Sequence, residues 1–429
     1  MSKDKQNSKN FKRPSLQTFN HEFVSENLTP FGGMAIVRKE VDKLNLKNEV
    51  DQNFDVFNFR KELSLGDLFE QTVLTMLSGG TCIHDTKLLK DKYLMDLFGW
   101  ERIPDDGTYS KRFSEFKDAD IRKLRDLLRV KAHAQIEDEN LMIAIDPTVE
   151  TVCGNQEGAE VGYNPSKQGR RSYFPFIAYE YSQGCVLDAM LRPGNTSSST
   201  NLVDFIKPLL KLRRRKGVTT RLDKGCTTDE VMTVVEDYGQ YYIGKAKMFA
   251  PIWDAIDKVE DWTSLEGGYF IGEFIYRGRR HIVVEQTCNK KGEQLNLWGR
   301  HESKISVIVT NRPDRAETIW RYYNKGAMVE TAIKELKNDL SALDFRTQSF
   351  HANEVFLLLG TVAWNIAKKI RSKEELKTHK NCALKKLRWL LIMIPAYITN
   401  SGRYTQIKLP KSVPFQDVVM DVFRNIKFT

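Results

Sequence analysis

The chain has 429 residues, length for two to four domains, and its 41% hydrophobic and 28% charged residues are the balance of an ordinary water-soluble protein. Lysine plus arginine outnumber aspartate plus glutamate by 66 to 56, and the resulting net charge of +10 suits an acidic partner, of which nucleic acid is the commonest. Six scattered cysteines without a C-x-x-C pair indicate neither a zinc site nor a disulfide framework. The polar N-terminus lacks a signal peptide's apolar core, and the longest apolar run, Trp389 to Ile398, is too short for a bilayer. The expected location is therefore the cytoplasm, at the nucleoid, with no membrane.

Residues 1–14 carry Lys3, Lys5, Lys9, Lys12 and Arg13 among polar neighbours and read as a disordered tail. From about 60 to 135 apolar residues recur at three- and four-residue spacing, which predicts several short helices. A helix-turn-helix-like DNA reader with Thr108–Phe116 as its recognition helix and a plain helical packing region both fit that pattern. The texture changes at 141. LMIAID is an apolar strand ending on Asp146, and SYFPFIAYEY and CVLDAMLRPG follow as strands. NLVDFIKPLLKLRRRK reads as a helix ending in cations, and GVTTRLDKG as a strand ending on Asp223. TTDEVMTVVEDYG reads as a helix capped by Thr227 or Thr228, and YYIGKAKM as a strand. Strands interleaved with helices in this way predict a mixed α/β layer.

Residues 250–303 break the rhythm. GGYFIGEFIYRGRRHIVVEQT predicts a long hairpin turning near Arg277–Arg279, a β-rich insertion. KISVIVTN resumes a buried strand, Pro313–Asp314 opens a long helix, and the C-terminal part is helical. It is also basic, with twelve lysines or arginines and two acids between Lys368 and Lys411. Candidate phosphate contacts lie in KQGRR (Lys167, Arg170, Arg171), KLRRRK (Arg213, Arg214, Arg215) and RGRR at 277–280.

Asp146 and Asp223 each end an apolar strand. Paired strands would put both carboxylates at one sheet edge, where open α/β sheets bind ligands, and hard oxygen donors suit Mg²⁺. Each Asp by itself is equally a turn or cap residue. In RYYNKGAMVETAIKELK, Tyr323, Glu330 and Lys337 are seven residues apart, a spacing that places them on one helical stripe. A solvated face with a charge pair has the same spacing.

That spacing matches the Y-x-x-R-x-x-x-E-x-x-x-x-x-x-K signature of bacterial DDE transposases. QEGAEVGYNPSKQGRRSY, LRPGNTSS, RLDKG, YYNKG…E…IKELK, and the early GGMAIV and DKLNL together resemble insertion-sequence family 1380, within DDE group 1, over nearly the whole chain. The resemblance implies an RNase H-like mixed-sheet α/β core with a β-rich insertion, flanked by helical regions. Its parts would be a mostly helical DNA-end-binding region at 15–135, core at 136–249 and 304–345, the insertion at 250–303, and a basic helical region at 346–429. It implies Asp146, Asp223 and Glu330 as ligands of two Mg²⁺ ions, with Mn²⁺ able to substitute, in a catalyst that cuts and joins DNA. Tyr323, Lys325 and Lys337 would position phosphates, and Trp298 or Trp262 of the insertion would stack on a displaced base. The implied partners are double-stranded inverted-repeat ends and target DNA, bound by a homodimer. One position departs: Gly326 stands where the signature has the Arg that holds a phosphate in family members. Glycine weakens a helix interior by up to about 1 kcal/mol, so the helix is expected to start after Gly326, which unsettles Tyr323's place on the stripe. A same-fold nuclease that does not join, and an impaired transposase-derived DNA-binding protein, are the alternatives.

Overall fold

The computed structural model describes residues 27–54, 63–212, 217–286, 304–379, 382–401, 404–413 and 415–424. The tail at 1–14, Arg213, Arg214, Arg215 and Trp298 lie outside them. The chain opens with a two-residue strand β1 (Leu28–Thr29) and six helices: α1 (Met34–Leu44), α2 (Leu46–Asn53), α3 (Leu65–Leu77), α4 (Lys92–Phe98), α5 (Asp106–Ser114) and α6 (Asp118–His133). Ser64 starts α3 by accepting from the Asp67 N–H while Asp67 returns a bond to the Ser64 N–H, satisfying two donors that a helix start leaves open. The segment expected as a recognition helix is α5. Its inner side, Tyr109 and Phe113, is fully buried, with the Tyr109 hydroxyl donating to Gln71 at 2.6 Å and Phe113 edge-on to Phe356 at 5.0 Å. Only Gly107, Lys111 and Ser114 are left exposed on it.

Strands follow: β2 (Leu141–Pro147), the short β3 (Glu150–Thr151), β4 (Glu160–Val161) and β5 (Arg171–Tyr173), then β6 (Phe176–Glu180) and β7 (Val186–Met190). After α7 (Leu202–Leu210) come β8 (Val218–Leu222), α8 (Asp229–Asp237), β9 (Tyr241–Lys245) and α9 (Ala250–Ile256). Thr228 is the cap of α8, its hydroxyl accepting from the Val231 N–H. Next are β10 (Trp262–Leu265), β11 (Tyr269–Tyr276), β12 (Arg279–Gln286) and β13 (Lys304–Thr310). The β11–β12 hairpin turns on Arg277 and Gly278, both at positive φ (51° and 74°), the conformation that a two-residue turn matched to strand twist requires.

The expected long helix after Pro313 is instead two. α10 (Ala316–Tyr323) ends in a single 3₁₀ turn at Asn324–Gly326, and α11 (Ala327–Asn338) starts afresh. The 22-residue α12 (Phe350–Arg371) is almost wholly buried. α13 (Leu384–Leu387), β14 (Ala396–Ser401), β15 (Tyr404–Lys408) and α14 (Gln416–Arg424) complete the chain.

Nine strands form one mixed sheet in the order β10-β11-β12-β13-β9-β8-β2-β6-β7. β2 runs parallel to β8, and β8 to β9, while β6 and β7 pair antiparallel. The β7-β6-β2-β8-β9 part has the RNase H-like order. The hairpin strands expected as an insertion extend the same sheet through β13. Period-two alternation gives the sheet its two faces. Leu141, Ile143, Ile145, Val218 and Leu222 pack on one side with α7 and α8. Met142, Ala144 and Ile243 pack on the other with α11 and α12.

Candidate active site

Parallel pairing sets Ile145 of β2 opposite Leu222 of β8, so the next step along each strand brings Asp146 and Asp223 side by side. By strand parity both lie on the face covered by α11, whose first turn carries Glu330. Asp146 is half-buried, whereas Asp223 and Glu330 are exposed. Burial, reinforced by the charge of Asp223 and more weakly by Glu330, pushes the Asp146 carboxyl up to about 6 against the pull of Arg221. Asp223 and Glu330 therefore both lie within electrostatic reach of Asp146. Among the described residues no three His, Cys, Asp or Glu side chains are drawn to ligand distance around a common point. The donor set is right for a hard divalent cation, and its members share one face without forming a closed cage.

Asp223 sits one residue beyond its strand, and its carbonyl accepts from the N–H groups of Cys226 (2.9 Å) and Thr227 (3.0 Å), fixing the turn into α8. A cleft of about 860 Å³ opens beside it, lined by Asp223, Lys224, Lys247, Lys167, Lys337 and Tyr163 among others. Lys337 is half-buried there and engaged, donating to the Val149 carbonyl at 2.7 Å and paired with Glu150 at 3.1 Å.

The other predicted residues fall unevenly. Lys167 lines the cleft. Arg170 and Arg171 are exposed and do not line it, and the Arg171 guanidinium donates to the Ala159 carbonyl. Tyr323 ends α10 rather than sharing a helix with Glu330, since the break at Asn324–Gly326 resets the helical phase. It is half-buried, its hydroxyl pushed up to about 12 by burial, and its ring carries the Arg221 guanidinium 4.4 Å from its centroid. Lys325 belongs to the break, and its side chain is outside the described residues. Of the RGRR arginines, Arg279 binds Asp229 and Glu236, Arg280 binds Glu273 and two carbonyls, and Arg277 is exposed. Trp262 packs at the sheet edge, its indole N–H donating to the Val259 carbonyl.

Lys224, Lys247, Tyr163 and Arg221 were not singled out from sequence. Lys224 directly follows Asp223 and Lys247 lies two residues past β9, so the rule that strand C-termini collect at one edge pointed at both.

A sheet of this order, with helices on both faces, defines an RNase H-like α/β fold. The chain belongs to the transposase DDE domain group 1 family, whose model matches residues 15–429. No curated protein matches it. Among solved structures, a piggyBac transposase synaptic complex with hairpin DNA, determined by cryo-electron microscopy, is similar over 90% of this chain and 88% of that one, at 11% identity and a TM-score of 0.39.

Proposed function

We propose that the chain is an insertion-sequence transposase that cuts DNA at the ends of its element and joins those ends to target DNA, in the manner its resemblance to insertion-sequence family 1380 implies. The observation that carries this is the register that sets Asp146 beside Asp223 on the face covered by the Glu330 helix. The lysine-lined cleft next to Asp223 supports it, because four ammonium groups around an acidic site suit a polyphosphate substrate.

Asp146, Asp223 and Glu330 would together hold the divalent ions. Bound there, Mg²⁺ or Mn²⁺ would lower the pKa of the attacking oxygen and stabilise the leaving one. Water adds to the phosphorus at the element end and the P–O3′ bond breaks, leaving a 3′-hydroxyl and a 5′-phosphate. That 3′-hydroxyl then attacks a target phosphate, and one phosphodiester forms as another breaks, with no net oxidant or energy source needed. Lys167, Lys224 and Lys247 hold flanking phosphates, and Lys337 exchanges Glu150 for DNA. The helices before 136 bind the element ends, a homodimer pairs two of them, and the protein works at the nucleoid.

The test is cleavage and plasmid-joining of an end-bearing duplex in Mg²⁺. Asp146→Ala, Asp223→Ala and Glu330→Gln are each expected to lose both reactions while retaining end binding. A variant among them that cuts normally removes its residue from the site, and cutting without joining by the unmodified protein makes the chain a nuclease.

A further inference from the structure

Gly326 has an ordinary right-handed helical backbone, φ −55° and ψ −28°, which any residue adopts. Its conformation therefore does not call for glycine. Space does. A Cβ at 326 would stand 2.4 Å from Nη2 of Arg221 and 2.9 Å from its guanidinium carbon. Arg221 reaches this spot from β8, two residues before Asp223 and on the same face of the strand. Its Nε donates to the Tyr323 carbonyl at 3.0 Å, and its guanidinium lies over the Tyr323 ring. Among the described residues, neither terminal nitrogen has a protein carbonyl or carboxylate as acceptor. Tyr181, 8% exposed, turns its buried hydroxyl into the same corner beside Arg221, and among the described residues the hydroxyl proton meets no acceptor. Arg221 and Asp146 both act electrostatically on that hydroxyl.

We propose that Arg221 and Tyr181 form a phosphate-oxygen site beside the carboxylates, and that Gly326 is glycine so that the guanidinium can lie there. The proposal rests on the transposase reading above and adds a substrate contact to it. A guanidinium fixed at one nitrogen and resting on a ring is already oriented, and an oriented fork plus a hydroxyl suits a phosphate better than a mobile ammonium. The orphaned hydroxyl is a polar group whose burial is costly until an acceptor arrives. The cation that the signature would place at 326 is supplied here from the neighbouring strand.

Two comparisons test this on the full-length protein. The first uses duplexes of the element end in which single phosphates near the cut are replaced, one at a time, by neutral methylphosphonates. The unmodified protein should lose roughly ten- to hundred-fold in affinity at one position, the worth of a charge-assisted bond. Arg221→Ala should show that loss on unmodified DNA and no further loss at that position, Tyr181→Phe a smaller version of it, and Arg221→Lys an intermediate one. A methylphosphonate profile identical in the unmodified protein and Arg221→Ala overturns the proposal. The second uses Gly326→Ala, which pushes only on the far end of a side chain and spares the fold. It should weaken binding about as much as Arg221→Ala, and adding it to Arg221→Ala should change nothing more. Additive losses would sink the spatial argument. Because binding is the readout, the outcome is separate from the cleavage test: an active unmodified protein with a dead Asp146→Ala and an indifferent Arg221→Ala refutes this site and leaves the transposase reading standing.

Discussion

At the scale of single residues, the chemistry turns on charges placed just beyond strand ends. Lys224 and Lys247 meet Asp223 across one cleft although Lys247 follows Asp223 by 24 residues in sequence. Lys247→Ala is expected to weaken binding to all DNA sequences alike and to lower the salt slope of the logarithm of affinity by about 1, measured by titration at several salt concentrations. A preference change without a slope change would instead assign Lys247 to base recognition. Buried acids make a second residue-scale prediction. Burial, with the charge of Asp188 adding to it and Arg125 opposing, holds the Glu354 carboxyl up at about 7 from an ordinary value of 4.5. The folded chain thus keeps a proton that the unfolded chain sheds, so the contribution of Glu354 to stability is full below pH about 4.5 and is lost as pH rises through 7. Glu354→Gln, which can still accept from the Leu191 N–H, should flatten that decline by an amount on the order of 3 kcal/mol. Thermal unfolding at pH 5 and pH 8 decides it, and an unchanged difference between the two would show that another group carries the effect.

At the scale of elements, α12 is the part on which the others depend. It packs against α1, α3, α5, α6 and β7, and at Gly360 it approaches so closely that an added Cβ would lie 2.2 Å from Ala342 Cβ. Gly360→Val should therefore cost about 1–3 kcal/mol through overpacking, despite valine being acceptable in helices; a midpoint of unfolding within error of the parent would contradict the contact. Sequence alone showed much at this scale. β2, β8 and β9 were legible because apolar runs bounded by turn residues are what buried strands look like, and the glycine at 326 correctly warned that Glu330's helix would begin after it. Glu330 and Lys337 share α11, but Tyr323 drops off their stripe, because seven-residue spacing holds phase only along an unbroken helix. The joining of the hairpin to the sheet through β13 was not legible either. Pairing Ile308 with Lys245 is a long-range choice that neither strand encodes locally. Arg221 was missed because an arginine in a strand resembles a solvent-facing residue until the opposing helix is known.

At the scale of the whole molecule, the helical N-terminal part and the sheet are joined by a buried ion cluster. Asp188 of β7, with a fully buried side chain, receives Arg125 at 2.9 Å and Arg129 at 2.6 Å from α6. Removing that carboxylate would leave the buried Arg125 without its ion-pair partner and Arg129 with Asp126 alone. Asp188→Ala should cost about 3–5 kcal/mol and lower the midpoint of a single transition in which helical and sheet signals melt together. Two separated melting transitions would mean that the parts are independent.

The position of α12 also bears on how the protein is made. Synthesis delivers the helices that surround it first and α12 itself only at residues 350–371. Until then α1, α3, α5 and α6 lack the one element against which all four pack, and β7 lacks its cover. A chain still on the ribosome, or one cut short before α12, thus leaves apolar helix sides uncovered and adhesive, and it needs chaperoning.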